Sequence, residues 1–410
     1  MRRKTQNSSP QKRRASEYKR FSGRKPKEHT KNLEEKKMFP VDDTPKPYDA
    51  DEDITRTAKR LFKIVEPAVK DTQQTFEDYN PKPFWEKRTY PQDWTSYNNA
   101  QMKEKILLIN ILNELLDNIP FPVTKPKVGR NPIQMRDKIF YLVLQAYNVK
   151  SSRRCIADLD LCRQLGFVEK TPHFNTVLKC LNDPTLEVYF KHLINVSGLP
   201  LQQVEQDFAV DSSGFSTSQF DRWFDVRIGK DSDKRRFRKA HLTCGVKTNI
   251  ITAVNITAGT SADSLEFENL VEKTNKIFDI REVSADKAYS SRDNLAVVSS
   301  IGAIPFIPFK SNTKGRPNGP WVWRRMFDLY TAHREDFLMH YHKRSNVEST
   351  FHMLKSKFGD YLRSKREASQ NNEILAKCLA HNICVLIQEM FELGIDIDFE
   401  KCAEIPIAHN

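Results

Sequence analysis

The chain of 410 residues is long enough for two or three domains with a sizeable core, and 39% apolar with 10% aromatic content suits a folded protein. Lys and Arg total 66 against 53 Asp and Glu, a net +13 that points to a polyanionic partner, most simply nucleic acid. Residues 1–40 hold 14 Lys/Arg against 4 Asp/Glu, so +10 of the +13 lies there and only +3 (13 − 10) remains for the other residues, which must be judged on their motifs. The seven Cys form no C-x-x-C pair and no Cys/His zinc spacing, which argues against disulfides and structural zinc and for buried thiols in a reducing compartment. There is no run of 18 apolar residues and no apolar core of a signal peptide, so the expectation is a soluble cytoplasmic protein with no membrane partner.

Residues 1–50 are polar, basic and rich in Pro, and are expected to be a disordered tail serving as a nonspecific DNA-binding arm or simply as a solubilising segment. Lys12-Arg13-Arg14 also matches a cheap nuclear-import pattern. Residues 51–200 read as mostly helical. Apolar residues recur at helical spacing in 54–69 and, after an aromatic and Pro-rich connector at 79–97 with Trp85 and Trp94, in 102–119, where Pro120 stops the helix. A further amphipathic helix covers 133–149. Ser152 is placed as the cap of a helix through Leu165 that Gly166 ends. Thr171-Pro172 opens the next helix, and 185–194 forms another. The pair around Gly166 has the proportions of a helix-turn-helix, with Arg153, Arg154 and Lys179 available to phosphates; an ordinary helical hairpin has the same outline.

The texture changes after Val204. Residues 207–211 form a short apolar strand ending in Asp211, and Ser212-Ser213-Gly214 reads as a turn. Runs at 241–246 and 250–256, separated by Lys247-Thr248-Asn249, signal a hairpin. A helix at 264–277, a strand at 280–285 ending before Asp286, a helix at 292–301, a strand at 304–309 and a Gly/Pro loop at 310–320 follow. From Trp321 to Phe358 there is neither Gly nor Pro, which predicts one long helix. Residues 373–392 form a buried closing helix and 393–410 a loose tail. This order implies an α/β fold: a mixed sheet flanked by helices, preceded by a mostly α-helical N-terminal region. The expected domains are 1–50, 51–200, 201–392 and 393–410.

Three carboxylates stand out by placement. Asp211 and Asp286 lie at strand ends, where α/β sheets gather ligands, and Glu348 lies on the long helix. On a helical wheel Tyr341, Arg344, Glu348 and Lys355 fall within about 60° of one another, beside the apolar face of Val347, Phe351, Leu354 and Phe358. His352 falls close to the stripe, as a supporting or solvated residue. Taken singly, each acid is an ordinary turn, cap or surface residue. Together they would repel unless neutralised, and an oxygen-only ligand set favours hard Mg²⁺ or Mn²⁺, two of which can drive phosphodiester chemistry. Arg344 and Lys355 would hold phosphates.

Tyr341-x2-Arg344-x3-Glu348-x6-Lys355 resembles the Tyr-Arg-Glu-Lys signature of one branch of insertion-sequence DDE transposases. Ala-Val-Asp211-Ser-Ser-Gly214 is similar to that family's first-acid motif, and Ser-Ala-Asp286-Lys-Ala-Tyr289 to its second. The resemblance covers about residues 204–390. It implies an RNase H-like core, metal-dependent cleavage at inverted-repeat ends and strand transfer into target DNA. It assigns Asp211, Asp286 and Glu348 to catalysis and to two divalent ions, and Tyr341, Arg344 and Lys355 to the DNA end. It further implies a homodimer on DNA, associated with the nucleoid. Trp321 and Trp323 are either base-stacking groups or plain core, and Arg235-Arg236-Phe-Arg238-Lys239 is either a DNA guide or a solvated loop. Two alternatives remain open: a metal-dependent nuclease of the same core without strand transfer, and a transposase-derived DNA-binding regulator.

Overall fold

The computed structural model of the chain describes residues 93–122, 132–217, 237–313 and 320–407. The basic tail, the helix expected at 54–69, Trp85, Arg235 and Arg236 lie outside the described residues. Those described belong to one unit, 90–410.

Among the described residues five helices come first: α1 (Trp94–Asp117), α2 (Met135–Tyr147), α3 (Ser152–Gln164), α4 (Phe174–Leu181) and α5 (Leu186–Val196). α1 begins eight residues before the expected start. The Asp93 carboxylate accepts from the Thr95 and Ser96 amides at 3.0 and 3.2 Å, satisfying two of the N–H groups that the first turn leaves orphaned. The caps of α3 and α4 also differ from expectation. Ser151 precedes α3, and the His173 ring caps α4 by accepting from Asn175 N–H, while the Thr171 hydroxyl is engaged by Asp160. Gly166 does end the α3 segment, with φ of +84°. The connection 165–173 is longer than the tight turn of a helix-turn-helix, so α3 and α4 form a looser hairpin.

The sheet contains β1 (Asp207–Ser216), β2 (Phe237–Gly245), β3 (Ile251–Ala258), β4 (Glu282–Ala285) and β5 (Ile304–Phe306), in the order β3-β2-β1-β4-β5. β1–β2 and β2–β3 are antiparallel, and β1–β4 and β4–β5 are parallel. α6 (Phe267–Asn275) and α7 (Arg292–Ser300) make the crossovers. β1 does not end at Asp211. Ser212, Ser213 and Gly214 continue it, because β2 supplies a ladder out to Ser216↔Phe237. The pairing to β4 does stop just before the acid, at Val210↔Ala285. Asp211 is thus the first residue of β1 without a β4 partner.

The expected single helix 321–358 is four pieces: α8 (Trp321–Ala332), α9 (Arg334–Tyr341), a 3₁₀ turn His342–Arg344 and α10 (Ser345–Phe358). The first break falls at His333 (φ −126°, ψ 57°). An aromatic cluster accounts for it: Phe309 touches Trp323, Phe327 and Tyr330, and Phe337 inserts between Tyr330 and Phe306 at ring distances of 5.0 and 5.5 Å. A straight helix would carry Phe337 away from these partners. Trp323 is buried there as core, whereas Trp321 is exposed beside Arg325.

α11 (Glu367–Glu392) is long and apolar enough by composition to cross a membrane, yet it is the central core helix, with Ile374, Leu379, Ile383 and Leu386 fully buried. It touches α1, α2, α5 and β3, so the N-terminal helices and the sheet share one hydrophobic core. The segment expected to be a loose C-terminal tail is also docked: Phe399 and Cys402 are buried, and Cys402 Sγ lies 3.8 Å from the Val196 carbonyl. All seven thiols are free, six of them buried.

Candidate active site

Successive side chains alternate faces along a strand, and paired residues of parallel strands share a face. Asp207, Ala209 and Asp211 of β1 therefore lie on the same side as Glu282, Ser284 and Asp286. One register step beyond Val210↔Ala285 brings Asp211 level with Asp286. Asp286 starts a 3₁₀ turn, Lys287–Tyr289, and accepts the Lys287 amide at 2.6 Å.

The segment from His340 to Lys355 runs over this face in the direction of β1. Arg344 Nη1 donates to Asp211 Oδ2 at 2.8 Å and Arg344 Nη2 to Glu348 Oε1 at 2.6 Å. One guanidinium thus ties the strand acid to the helix acid. Lys355 lies further along β1 and donates to Ser213 Oγ at 2.6 Å and to the Gly214 carbonyl at 2.9 Å, over the Phe215 ring. Tyr341 is half-buried, its ring 5.9 Å from the Arg344 guanidinium. The 3₁₀ turn interrupts the regular wheel, yet the four signature residues still line one track because Arg344 reaches back to Asp211.

Burial pushes the Asp211 carboxyl up to about 6. Asp286 and Glu348 add to the rise, against the Ser212 amide and Arg344, which pull the other way. Burial also lowers the Lys355 ammonium to about 8, opposed by Asp360 and reinforced by Lys377. Tyr341 is raised, again chiefly by burial. Asp211 is thus a carboxylate short of compensating charge, in a group with only oxygen donors, and this chemistry suits a hard divalent cation. Among the described residues, no three His, Cys, Asp or Glu side chains converge as a ready-made ligand cage, and Arg344 stands between two of the candidate ligands.

Other expected contacts resolve differently. His352 is exposed and lies 3.4 Å from Ser356 Oγ. Arg238 and Lys239 are committed within the fold, to Glu367 with Asn371 and to Asp263 respectively. Arg153 lies over the Phe174 ring at 4.7 Å, while Arg154 and Lys179 are exposed. The sequence reading missed a second charged group on the same face. Arg281 grips Asp207 through Nε (2.9 Å) and Nη2 (2.7 Å), and Lys343 Nζ is 2.8 Å from both Asp207 and Glu282. His340 Nδ1 is 3.0 Å from Glu282 and its ring stacks on Phe306. Asp207 and Glu282, acids at the first positions of two strands, are the available signal.

The fold and face define a class: an α/β domain that presents acids from β1, from the end of β4 and from a late helix to one surface. Residues 202–383, which carry the mixed sheet, match the family model described as the transposase DDE domain. No curated protein matches the sequence. A cryo-EM structure of piggyBac transposase in a synaptic complex with hairpin DNA is similar at 13% identity, with a TM-score of 0.36, over 73% of this chain and 78% of that one.

Proposed function

We propose that the protein is a DNA transposase that cleaves phosphodiester bonds at inverted-repeat ends and transfers the ends into target DNA. The observation that carries this reading is the Arg344 bridge, which ties Asp211 to Glu348 from a distant part of the sequence, on the face where Asp286 stands level with Asp211 and within the part of the chain that matches the transposase DDE domain.

Asp211, Asp286 and Glu348 would hold two Mg²⁺ or Mn²⁺ ions, which supply activation of water or a 3′-hydroxyl and charge stabilisation at the leaving oxygen. To serve as ligands, Asp211 and Glu348 must release the guanidinium. That release frees Arg344 to take a DNA phosphate through two N–H donors. Lys355 and Tyr341, on the same track, would contact the DNA end near the scissile phosphate. The cellular setting we assign is the nucleoid, with a homodimer pairing two ends.

The test compares wild type with Glu348→Gln on a duplex carrying the element's own terminal sequence, scoring metal-dependent cleavage and joining to plasmid. Cleavage and joining that both vanish in the variant, with DNA binding kept, are expected. Cleavage without joining would leave a nuclease, and full activity in Glu348→Gln would remove Glu348 from the site.

A further inference from the structure

We infer that Lys343, held between Asp207 and Glu282, is a positioning residue that sets where Arg344 and Glu348 stand along β1. The inference rests on the reading of Glu348 as a metal ligand.

Asp207 and Glu282 are paired across the parallel strands, and both are buried. They lie four residues below Asp211 and Asp286 on the same face, about 13 Å along the strand. Lys343 bridges the lower pair and the next residue, Arg344, bridges Asp211 to Glu348. Consecutive side chains on a regular α-helix diverge by about 100°. In the 3₁₀ turn His342–Arg344 they diverge further, by about 120°, so the two neighbouring cations leave the backbone in different directions and reach two levels of one strand. His340, one turn earlier, adds a contact to Glu282.

The apolar face of α10 does not fix this register by itself. Val347, Phe351 and Leu354 bury well, but apolar contacts are non-directional. Asn346 and Thr350 add neutral hydrogen bonds, to the Val246 carbonyl and to Asn249 at the β2–β3 turn. A slip by one two-residue strand repeat, about 6.6 Å, would set Glu348 beside Ala209 or Ser213 instead of Asp211. The charge contacts of Lys343 oppose that slip, since its two acceptors lie at one level of the sheet.

Arg281 supplies the internal control. It also neutralises Asp207, through two hydrogen bonds, but it precedes β4 and has no tie to the helix. A merely charge-balancing cluster would make Lys343 and Arg281 equivalent, whereas a register pin makes only Lys343 matter to the site. The experiment uses the full chain well below each variant's melting temperature. It reads Mn²⁺ affinity from the EPR signal of free Mn²⁺, Mn²⁺-dependent nicking of supercoiled plasmid under single turnover, and affinity for a 30-base-pair duplex. Lys343→Met should lose ten- to a hundredfold in Mn²⁺ affinity and nicking rate, the range seen when residues supporting a metal site are removed, with duplex affinity within twofold. Arg281→Met should stay within threefold of wild type in all three. Lys343→Met/Glu282→Gln, which removes a buried acid together with its cation and so protects folding, should show the same loss as Lys343→Met. Near-wild-type nicking by that double variant, or equal losses in Lys343→Met and Arg281→Met, overturns the inference. Unchanged Mn²⁺ affinity in Glu348→Gln would instead overturn the underlying assignment of Glu348.

Discussion

β1 and β4 carry two acid pairs on one face, and the two ends treat them in opposite ways. At the lower end Asp207 and Glu282 are buried, yet both carboxyls are held below their ordinary values, because Arg281, Lys343 and His340 outweigh the cost of burial. At the upper end burial wins at Asp211, whose carboxyl rises to about 6 with only Arg344 facing two further acids. The residue type is the same on the same strand; burial raises both carboxyls, and the two differ in that Arg281 and Lys343 both bond Asp207 whereas Arg344 alone bonds Asp211 among the cations. The lower cluster is electrostatically complete and braces the fold. The upper one is short of positive charge, the condition expected where a metal and a phosphate are to be exchanged.

The largest expected effect is catalytic. Asp211→Asn should reduce metal-dependent cleavage by roughly 10⁴-fold, the scale of losing a member of a reacting group. Asp207→Asn should leave cleavage within about the 10–100-fold range of a supporting residue. Gel assays of nicking by the two variants check this ranking, and equal losses would erase the distinction between the ends. The next effect is on stability, and its sign differs between the ends. Breaking a buried, paired charge costs about 3–5 kcal/mol, so Asp207→Asn should lower the melting temperature. Asp211 has a folded-state carboxyl raised from 3.8 to about 6, so between those values the folded state binds more protons than the unfolded state and stability falls as pH rises. Above pH 6 the folded protein carries that cost in full. Asp211→Asn should therefore stabilise the metal-free protein by about 1–2 kcal/mol at pH 7.5, below the ceiling of about 3 set by two pH units. The gain should fade as pH falls from 6 towards 4. Thermal melts in EDTA at pH 4.5 and 7.5 measure both signs.

This contrast was only half legible in the sequence. Asp286 could be placed because β4 is a short apolar run that an acid follows, and that local signal survives in the fold. The sequence pattern puts Asp211 on the right strand but at its end: Ser-Ser-Gly is turn chemistry, and the ladder to β2 overrides it. The helix 321–358 looked continuous because Gly and Pro are the breakers a sequence shows. The break at His333 comes from the contacts of Phe337 with Tyr330 and Phe306, which involve residues far apart in the chain. No sequence pattern marks the lower cluster. Asp207, Glu282 and Lys343 have no fixed spacing, and only the parallel register of β1 and β4 brings them together.

The smallest predicted effect concerns the second cation of the upper end. The cations of the lower cluster are spent on carboxylates, but Lys355 holds only a hydroxyl and a carbonyl, so its charge remains available to a phosphate. Its ammonium is lowered to about 8, so the charge is present below that pH and disappears as pH rises through it. Duplex binding should therefore weaken between pH 7 and 9. Lys355→Arg, always charged, should flatten that dependence, and Lys355→Gln should remove it while reducing the slope of log K against log salt by roughly one. Fluorescence anisotropy of a labelled duplex at three salt concentrations and three pH values resolves a change of this size. An unchanged salt slope in Lys355→Gln would show that this lysine carries no phosphate.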